Sequence, residues 1–261
     1  MKALAALGIL LLLAGCAASE PAAEPDGLPA TGRADYQLGG AYTPPDDVIV
    51  VARDRTDPPL DGVYSICYVN GFQTQPQEAA LWLDEHPELL LRDAAGDPQI
   101  DPNWPDEMAL DTSTAENRDA LAAIIGGWIE GCADDGYQAV EFDNLDSYSR
   151  FDGLTLENNV AFATLLVERV HALGLHAGQK NSAELGERGP DEIGFDFAIA
   201  EECHVFDECA LYTDVYGDQV IDIEYDDTDL DGLCDDESLP FLTIVRDRSL
   251  SPGGTFWSCD V

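Results

Sequence analysis

Eight short apolar or β-branched runs recur between residues 36 and 247, and this repetition constrains the fold more than any other feature: Tyr36–Gly40, Val48–Arg53, Val63–Asn70, Gln138–Asp143, Leu175–Lys180, Phe195–Glu201, Gln219–Glu224 and Phe241–Asp247. Helical patterns lie between them. In Ala115–Asp134, residues Leu121, Ile124, Ile125, Trp128, Ile129 and Cys132 share one apolar face. In Leu156–Leu173 the face is Val160, Ala163, Leu166, Val167 and Val170, and Gly174 follows as a C-terminal cap. Strands alternating with helices build βαβ units, hence a parallel sheet. Eight in roughly 215 residues predict a (β/α)8 TIM barrel, a single α/β domain. A doubly wound open sheet is the competing arrangement. Its glycine fingerprint is missing: Leu38-Gly39-Gly40-Ala41 reads only as a turn, so nucleotide binding has no support.

The N-terminus reads as a leader. Lys2 precedes an apolar run, Leu4 to Leu13, and then Leu13-Ala14-Gly15-Cys16. A charged start, a short apolar stretch and small residues before a cut describe an export signal rather than a spanning helix. The last four residues resemble a bacterial lipobox, with Cys16 as the lipidated residue; an ordinary signal with a chance cysteine is the alternative. The expected organisation is a signal peptide at 1–15, a flexible tether at 16–33 and a single (β/α)8 domain at 34–261. The protein is then exported and held to the bacterial cell envelope by lipid alone, its domain outside the cytoplasm, acting as a monomer. Six further cysteines suit an oxidising compartment. The expected pairs are Cys203–Cys209 as a local clip, Cys234–Cys259 near the end and, by elimination, Cys67–Cys132.

Charge narrows the partners. Against 52 Asp+Glu stand 12 Lys+Arg, a formal net charge of -40. Nucleic acid is excluded, because its binding depends on cations neutralising phosphates. A basic patch on anionic lipid is disfavoured for the same reason. With 45% hydrophobic residues the chain can still build a core.

Barrel enzymes carry their function at the C-terminal ends of the strands. Here those ends read Tyr36-Gln37, Tyr68-Val69-Asn70, Glu141-Phe142-Asp143-Asn144-Leu145-Asp146, Gln179-Lys180-Asn181, Glu201-Glu202 and Glu224-Tyr225. Alternation turns Val140 and Phe142 towards the helices and Ala139, Glu141 and Asp143 into the barrel. Inward charge is costly unless paired or functional, and several strands presenting it together point to a site. Lys180 is the one lysine beyond Lys2 and sits among these carboxylates, either as a structural ion-pair partner or as a group that sets a catalytic carboxylate's pKa. No Gly-x-Ser-x-Gly elbow is present, and His86, His171, His176 and His204 include no ligand-spaced pair. Inward carboxylates with Tyr36, Tyr68, Tyr148 and Tyr225 are what glycoside hydrolysis needs: an acid, a nucleophile or base, and aromatic faces for sugar rings.

These strand ends resemble motifs of glycoside hydrolase family 114, the endo-α-1,4-polygalactosaminidases. The resemblance rests on Tyr36-Gln37-Leu38, Ile66-Cys67-Tyr68, Val140 to Tyr148, Gly178-Gln179-Lys180-Asn181, Phe197 to Cys203 with Glu208-Cys209, and Ile221 to Tyr225. It runs in order from about residue 34 to 250. It implies a (β/α)8 barrel that cleaves α-1,4-linked galactosamine-containing exopolysaccharide without a catalytic cofactor. A cationic or partly acetylated galactosamine polymer would give the acidity a purpose beyond solubility. Carried over by position, the catalytic pair is Asp143 and Glu201, with Glu201 as acid and Asp143 as nucleophile or base. Alternation alone favours Glu202 over Glu201, since Ala198 and Ala200 are small and Phe197 and Ile199 large. Tyr36, Gln37, Tyr68, Asn70, Asp146, Tyr148, Lys180, Asn181, Glu202 and Glu224 are the candidate substrate-binding and positioning residues.

One segment stands apart. Asp227-Thr228-Asp229-Leu230-Asp231-Gly232-Leu233-Cys234-Asp235 begins like a calcium loop, with Asp227, Asp229, Asp231 and Asp235 as candidate ligands. Its twelfth position is Ser238, not a bidentate Glu, and a plain acidic loop is the other reading. The rival to the hydrolase is a non-catalytic surface lipoprotein that binds carbohydrate, calcium or both on a barrel scaffold.

Overall fold

The computed structural model describes residues 27–29 and 31–259. The expected leader, Cys16 and the first part of the tether lie outside the described residues. The last residues of that tether are already part of the fold. Leu28 is buried, its amide donates to Oε1 of Gln219 at 2.6 Å, and the first strand is Arg33–Tyr36, so that of the expected Tyr36–Gly40 only Tyr36 is strand.

Eight parallel strands follow in chain order: β1 (Arg33–Tyr36), β2 (Val48–Asp54), β3 (Tyr64–Asn70), β4 (Ala139–Asp143), β5 (His176–Lys180), β6 (Phe197–Glu201), β7 (Val220–Tyr225) and β8 (Leu242–Arg246). The sheet curls until β8 lies against β1. At that seam β8 carries a short antiparallel strand, β9 (Phe256–Trp257), and Arg246 reaches across. Its fully buried guanidinium donates to Asp35 at 2.5 Å, to the Tyr36 carbonyl and to the Thr255 carbonyl at 3.0 Å. Register sets the site: Tyr68 stands opposite Glu141, and Asn70 opposite Asp143.

The strand expectation holds, but the helical jacket is incomplete. Among the described residues, α1 (Ala115–Asp135) follows β3, α2 (Ser147–Arg150) and α3 (Leu156–Ala172) follow β4, and α4 (Cys209–Tyr216) follows β6. Short helical turns, Ala183–Leu185 and Gly189–Ile193, follow β5. The β1–β2 and β2–β3 connections hold Pro44-Pro45 and Pro58-Pro59, whose rings remove donors and block helix propagation. The β7–β8 connection is crowded with aspartates, whose mutual repulsion disfavours a helix, and carries one turn, Leu233–Asp235. The two long helices, α1 and α3, are capped. Thr114 accepts from the Asn117 amide at 3.1 Å, Thr155 and Asn158 form a capping box, and Gly174 is left-handed at φ 76°.

The core has two layers. Val140, Phe142, Ala198 and Ala200 pack outward against Leu121, Ile125 and Leu166 of the helices. Ala139, Phe197, Ile199, Ile223 and Ile244 fill the barrel. On β6 the large side chains therefore point inward and the alanines outward, the reverse of the size-based reading. The cause lies on the neighbouring strands, where Ala139 and Gly178 leave the barrel centre open. A Cβ on Gly178 would meet the Phe197 ring at 2.6 Å. All three expected disulfides are present: Cys67–Cys132 ties β3 to α1, Cys203–Cys209 closes the turn after β6, and Cys234–Cys259 joins the β7–β8 connection to the C-terminal segment. No helix among the described residues is long and apolar enough to cross a membrane.

Candidate active site

The charged ends of β4, β5 and β6 meet at one mouth of the barrel. Asp143 closes β4, Lys180 closes β5 and Glu201 closes β6. Each is followed at once by a residue in the left-handed region: Asn144 (φ 62°), Asn181 (φ 50°) and Glu202 (φ 60°). Such backbone costs about 1–3 kcal/mol per residue, least for asparagine, and it clusters where a chain must turn sharply to present a side chain. The turn sends the backbone away and leaves the charged group facing the mouth.

Lys180 is 2% exposed, and its ammonium lies 3.0 Å from Oε2 of Glu201 and 3.6 Å from Oδ1 of Asp143. The two carboxylates keep 27% and 21% of their side-chain surface open, enough to meet a ligand. Asp143 accepts from the Tyr68 hydroxyl at 2.7 Å and from the Asn144 amide at 2.8 Å. Glu201 accepts from Asn181 at 3.0 Å and from the Tyr225 hydroxyl. Burial acts to raise Glu201, but Lys180, Tyr225 and Asn181 overcome it and bring its pKa to about 2. Burial likewise acts to lower Lys180, and the charges of Asp143, Glu201 and Glu141 outweigh it and hold the ammonium well above its ordinary range.

Beneath this pair lies Glu141, buried inside the barrel. Its Oε2 accepts from Tyr36 at 3.0 Å, Tyr36 accepts from Lys180 at 3.2 Å, and its Oε1 has no partner. Burial first, and the neighbouring Asp143 charge, raise its pKa to about 8 against the pull of Lys180. Glu107, from the β3–α1 connection, accepts from Asn70 at 3.1 Å and is pushed up to about 7, chiefly by burial and then by Asp143.

Asp143, Lys180, Glu201 and Glu107 line a cleft of about 790 Å³, a size suited to a small ligand or a stretch of polymer. Tyr36, Tyr68, Asp143, Asp146, Lys180, Asn181, Glu201 and Glu202 all line it, as the sequence predicts. Glu201, in phase with Phe197 and Ile199, is the inward carboxylate. Glu202 stands on the rim in an ion pair with Arg248 at 2.9 Å.

Four predicted residues are not on the wall. Gln37 is buried between Asp35, Arg53 and the Tyr42 amide, bracing β1 against β2. Asn70 holds Glu107 and Asn144 from behind. Tyr148 packs beside Phe151 and Leu154 and donates to Glu184. Glu224 faces outward, because β7 turns Ile221, Ile223 and Tyr225 into the barrel. It accepts from the His204 amide at 2.7 Å beneath the β6–α4 turn.

The aspartates after β7 do not gather round a point. Asp227 is engaged by Arg248 at 2.8 Å, the Asp229 carboxylate accepts from the Asp231 amide at 3.1 Å, and Asp235 is exposed. The Cys203, Cys209 and Asp222 ligand atoms come together, but those cysteines form a disulfide.

Tyr225, which the sequence offers as an aromatic face, lines the cleft, and so do Glu107, Trp104, Phe206 and Arg248, which sequence reading did not single out. Those four come from connections without periodicity.

A parallel barrel with two carboxylates at its C-terminal mouth is the architecture of a glycoside hydrolase. The sequence matches the model of glycoside-hydrolase family GH114 over residues 16–261, and the chain belongs to that family. Among solved structures it is similar to Ega3 of Aspergillus fumigatus in complex with galactosamine, at 21% identity and TM-score 0.69, over 88% of this chain and 96% of that one. It is also similar to the glycoside hydrolase domain of PelA from Pseudomonas aeruginosa, at 15% identity and TM-score 0.57, over 85% of this chain and 97% of that one. At these identities the likeness is one of fold. No curated protein sequence matches the chain.

Proposed function

We propose that this GH114 member is an endo-acting hydrolase of α-1,4-linked, galactosamine-containing polysaccharide, with Asp143 and Glu201 as its reacting pair. The observation that carries this reading is the single buried ammonium shared by two open carboxylates. It fixes their spacing and keeps them from repelling each other. Both carboxyl groups touch one nitrogen, which favours the retaining separation of roughly 5–5.5 Å over the wider inverting one. A retaining cycle would follow. With the sequence-expected roles exchanged, Glu201, which Lys180 keeps ionised, attacks the anomeric carbon, while Asp143 enters carrying the proton that it gives to the leaving oxygen and then takes one from the water that releases the sugar.

The substrate class draws on two features. Ega3 binds galactosamine, and the cleft here has Glu107, Asp146, Glu202 and Glu208 along its walls, a field suited to an amino sugar bearing a positive charge. Export by the leader, lipid anchoring through Cys16 and action as a monomer at the cell envelope complete the proposal. No cofactor enters the chemistry. The rival, a binding protein on a disused barrel, is disfavoured because both carboxylates and their shared lysine are intact.

Incubation with partly de-N-acetylated polygalactosamine, read by mass spectrometry, should release oligomers. Asp143→Asn and Glu201→Gln should each lose roughly 10²–10⁴-fold in rate with unchanged circular dichroism. Full activity in either variant would remove that residue from the pair.

A further inference from the structure

Two large aromatic side chains stand open to solvent on the wall of the cleft: Trp104 is 60% exposed and Phe206 63%. Exposed apolar groups inside a cleft call for a ligand. Their places in the barrel order are telling. Trp104 belongs to the connection after β3, next to the β4 strand that ends in Asp143. Phe206 belongs to the connection after β6, the strand that ends in Glu201. Round the mouth the strand order therefore runs from the β3 connection with Trp104, through Asp143, Lys180 and Glu201, to the β6 connection with Phe206.

Neither ring sits on a loose loop. The buried Asp101 carboxylate accepts from the Asn103 amide at 2.8 Å and the Trp104 amide at 3.2 Å, and is itself held by Arg150 and Gln73, each at 3.1 Å. The Trp104 carbonyl accepts from the Glu107 amide at 2.9 Å. On the other wall the Phe206 amide donates to the Glu202 carbonyl at 3.0 Å, inside the turn closed by Cys203–Cys209. His204 pins that turn to Asp236 at 2.7 Å. The backbone that carries both rings is thus held before the ligand arrives, so binding does not have to order these connections.

We infer that Trp104 and Phe206 are sugar-stacking platforms on opposite sides of the bond to be cleaved, so that the cleft grips the polymer both before and after the reacting residue. The platforms take the apolar faces of hexosamine rings, and an ammonium group carried over the Trp104 face adds a cation–π attraction. The inference rests on the proposed hydrolase reading and deepens it: a grip on both sides is what makes a glycosidase cut within a chain rather than at its end. Binding far from the reacting centre also shows itself in catalysis, because a longer substrate then reacts better than a short one.

The experiment compares wild type, Trp104→Ala, Trp104→Phe and Phe206→Ala on partly de-N-acetylated polygalactosamine and on its tetramer. Each alanine variant should raise KM on the polymer by roughly 3- to 30-fold, leave the tetramer less affected and shift the sizes of early products. Trp104→Phe should recover most of the loss. Binding in the Glu201→Gln background, read by retardation in polymer-containing native gels, should weaken in step. If wild type cleaves the polymer while both alanine variants keep its KM and product sizes, the platforms are refuted and the hydrolase reading stands. If wild type neither cleaves nor binds the polymer, the hydrolase reading itself falls, and the platforms with it.

Discussion

The Lys180 ammonium lies 3.0 Å from the Glu201 carboxylate, inside a barrel mouth where the lysine is all but closed to water. That contact keeps Glu201 ionised and, through the second contact to Asp143, makes one cation the common support of two carboxyl groups.

Replacing it tests the support. Lys180→Met removes the charge at similar length and leaves Asp143 and Glu201 to repel each other. The Glu201 pKa, about 2 with the lysine in place, should climb. A depressed carboxylate stabilises the fold above its unfolded pKa and loses that contribution as pH falls through its folded value. Wild type should therefore shed this contribution as pH drops below about 4.5 towards 2, and the variant at higher pH. The checks are urea midpoints between pH 2 and 6 and the pH profile of kcat/KM. An acid limb that stays where wild type has it would show that Lys180 does not set Glu201.

Glu141 predicts the opposite limb. Its pKa is raised to about 8, so its favourable contribution is complete below the ordinary carboxylate value and is lost as pH rises through 8. Above that pH its new charge competes, by way of Tyr36, for Lys180. Activity should fall on the alkaline side, and Glu141→Gln, which cannot ionise, should flatten that fall while keeping the neutral-pH rate within a few fold. An unmoved alkaline limb would count against the relationship.

At the seam, Arg246 and Asp35 are both wholly buried, and removing one strands the other's charge. Arg246→Met should cost about 3–5 kcal/mol in urea unfolding. The double variant Arg246→Met/Asp35→Leu should recover part of that loss. A single variant with wild-type stability would mean that the barrel closes without this pair.

Calcium at the loop after β7 is testable directly. With Asp227 committed to Arg248, millimolar calcium and excess chelator should leave the melting temperature unchanged. A rise of several degrees with calcium alone would show that the loop rearranges to gather its aspartates.

Much of this was legible in the sequence. The eight strands announce themselves because each must satisfy two apolar surroundings at once, and the polar ends Asp143, Lys180 and Glu201 stand out against that background. The phase of β6 was not legible. Alternation says that two faces differ but not which one looks into the barrel, and that depends on Gly178 and Ala139, which belong to other strands. The same limit misplaced Glu224, whose outward direction follows from Ile221, Ile223 and Tyr225 turning in. Trp104, Phe206 and Glu107 escaped because they sit in connections held by local carboxylates and a disulfide, where no period marks them. The missing helices had a signal, the paired prolines before β2 and β3, which the regular spacing of the strands concealed.

The uneven jacket has a practical meaning for anyone reshaping this molecule. Behind β3, β4 and β6, α-helices back the arc that bears Asp143, Lys180 and Glu201, so grafts there would disturb the chemistry they brace. The thinly clad arc formed by β1, β2, β7 and β8 is joined by brief, proline- or aspartate-rich links. A domain or affinity handle spliced there must spare Tyr36, Tyr225 and Asp236, which this arc lends to Lys180, Glu201 and the Phe206 turn.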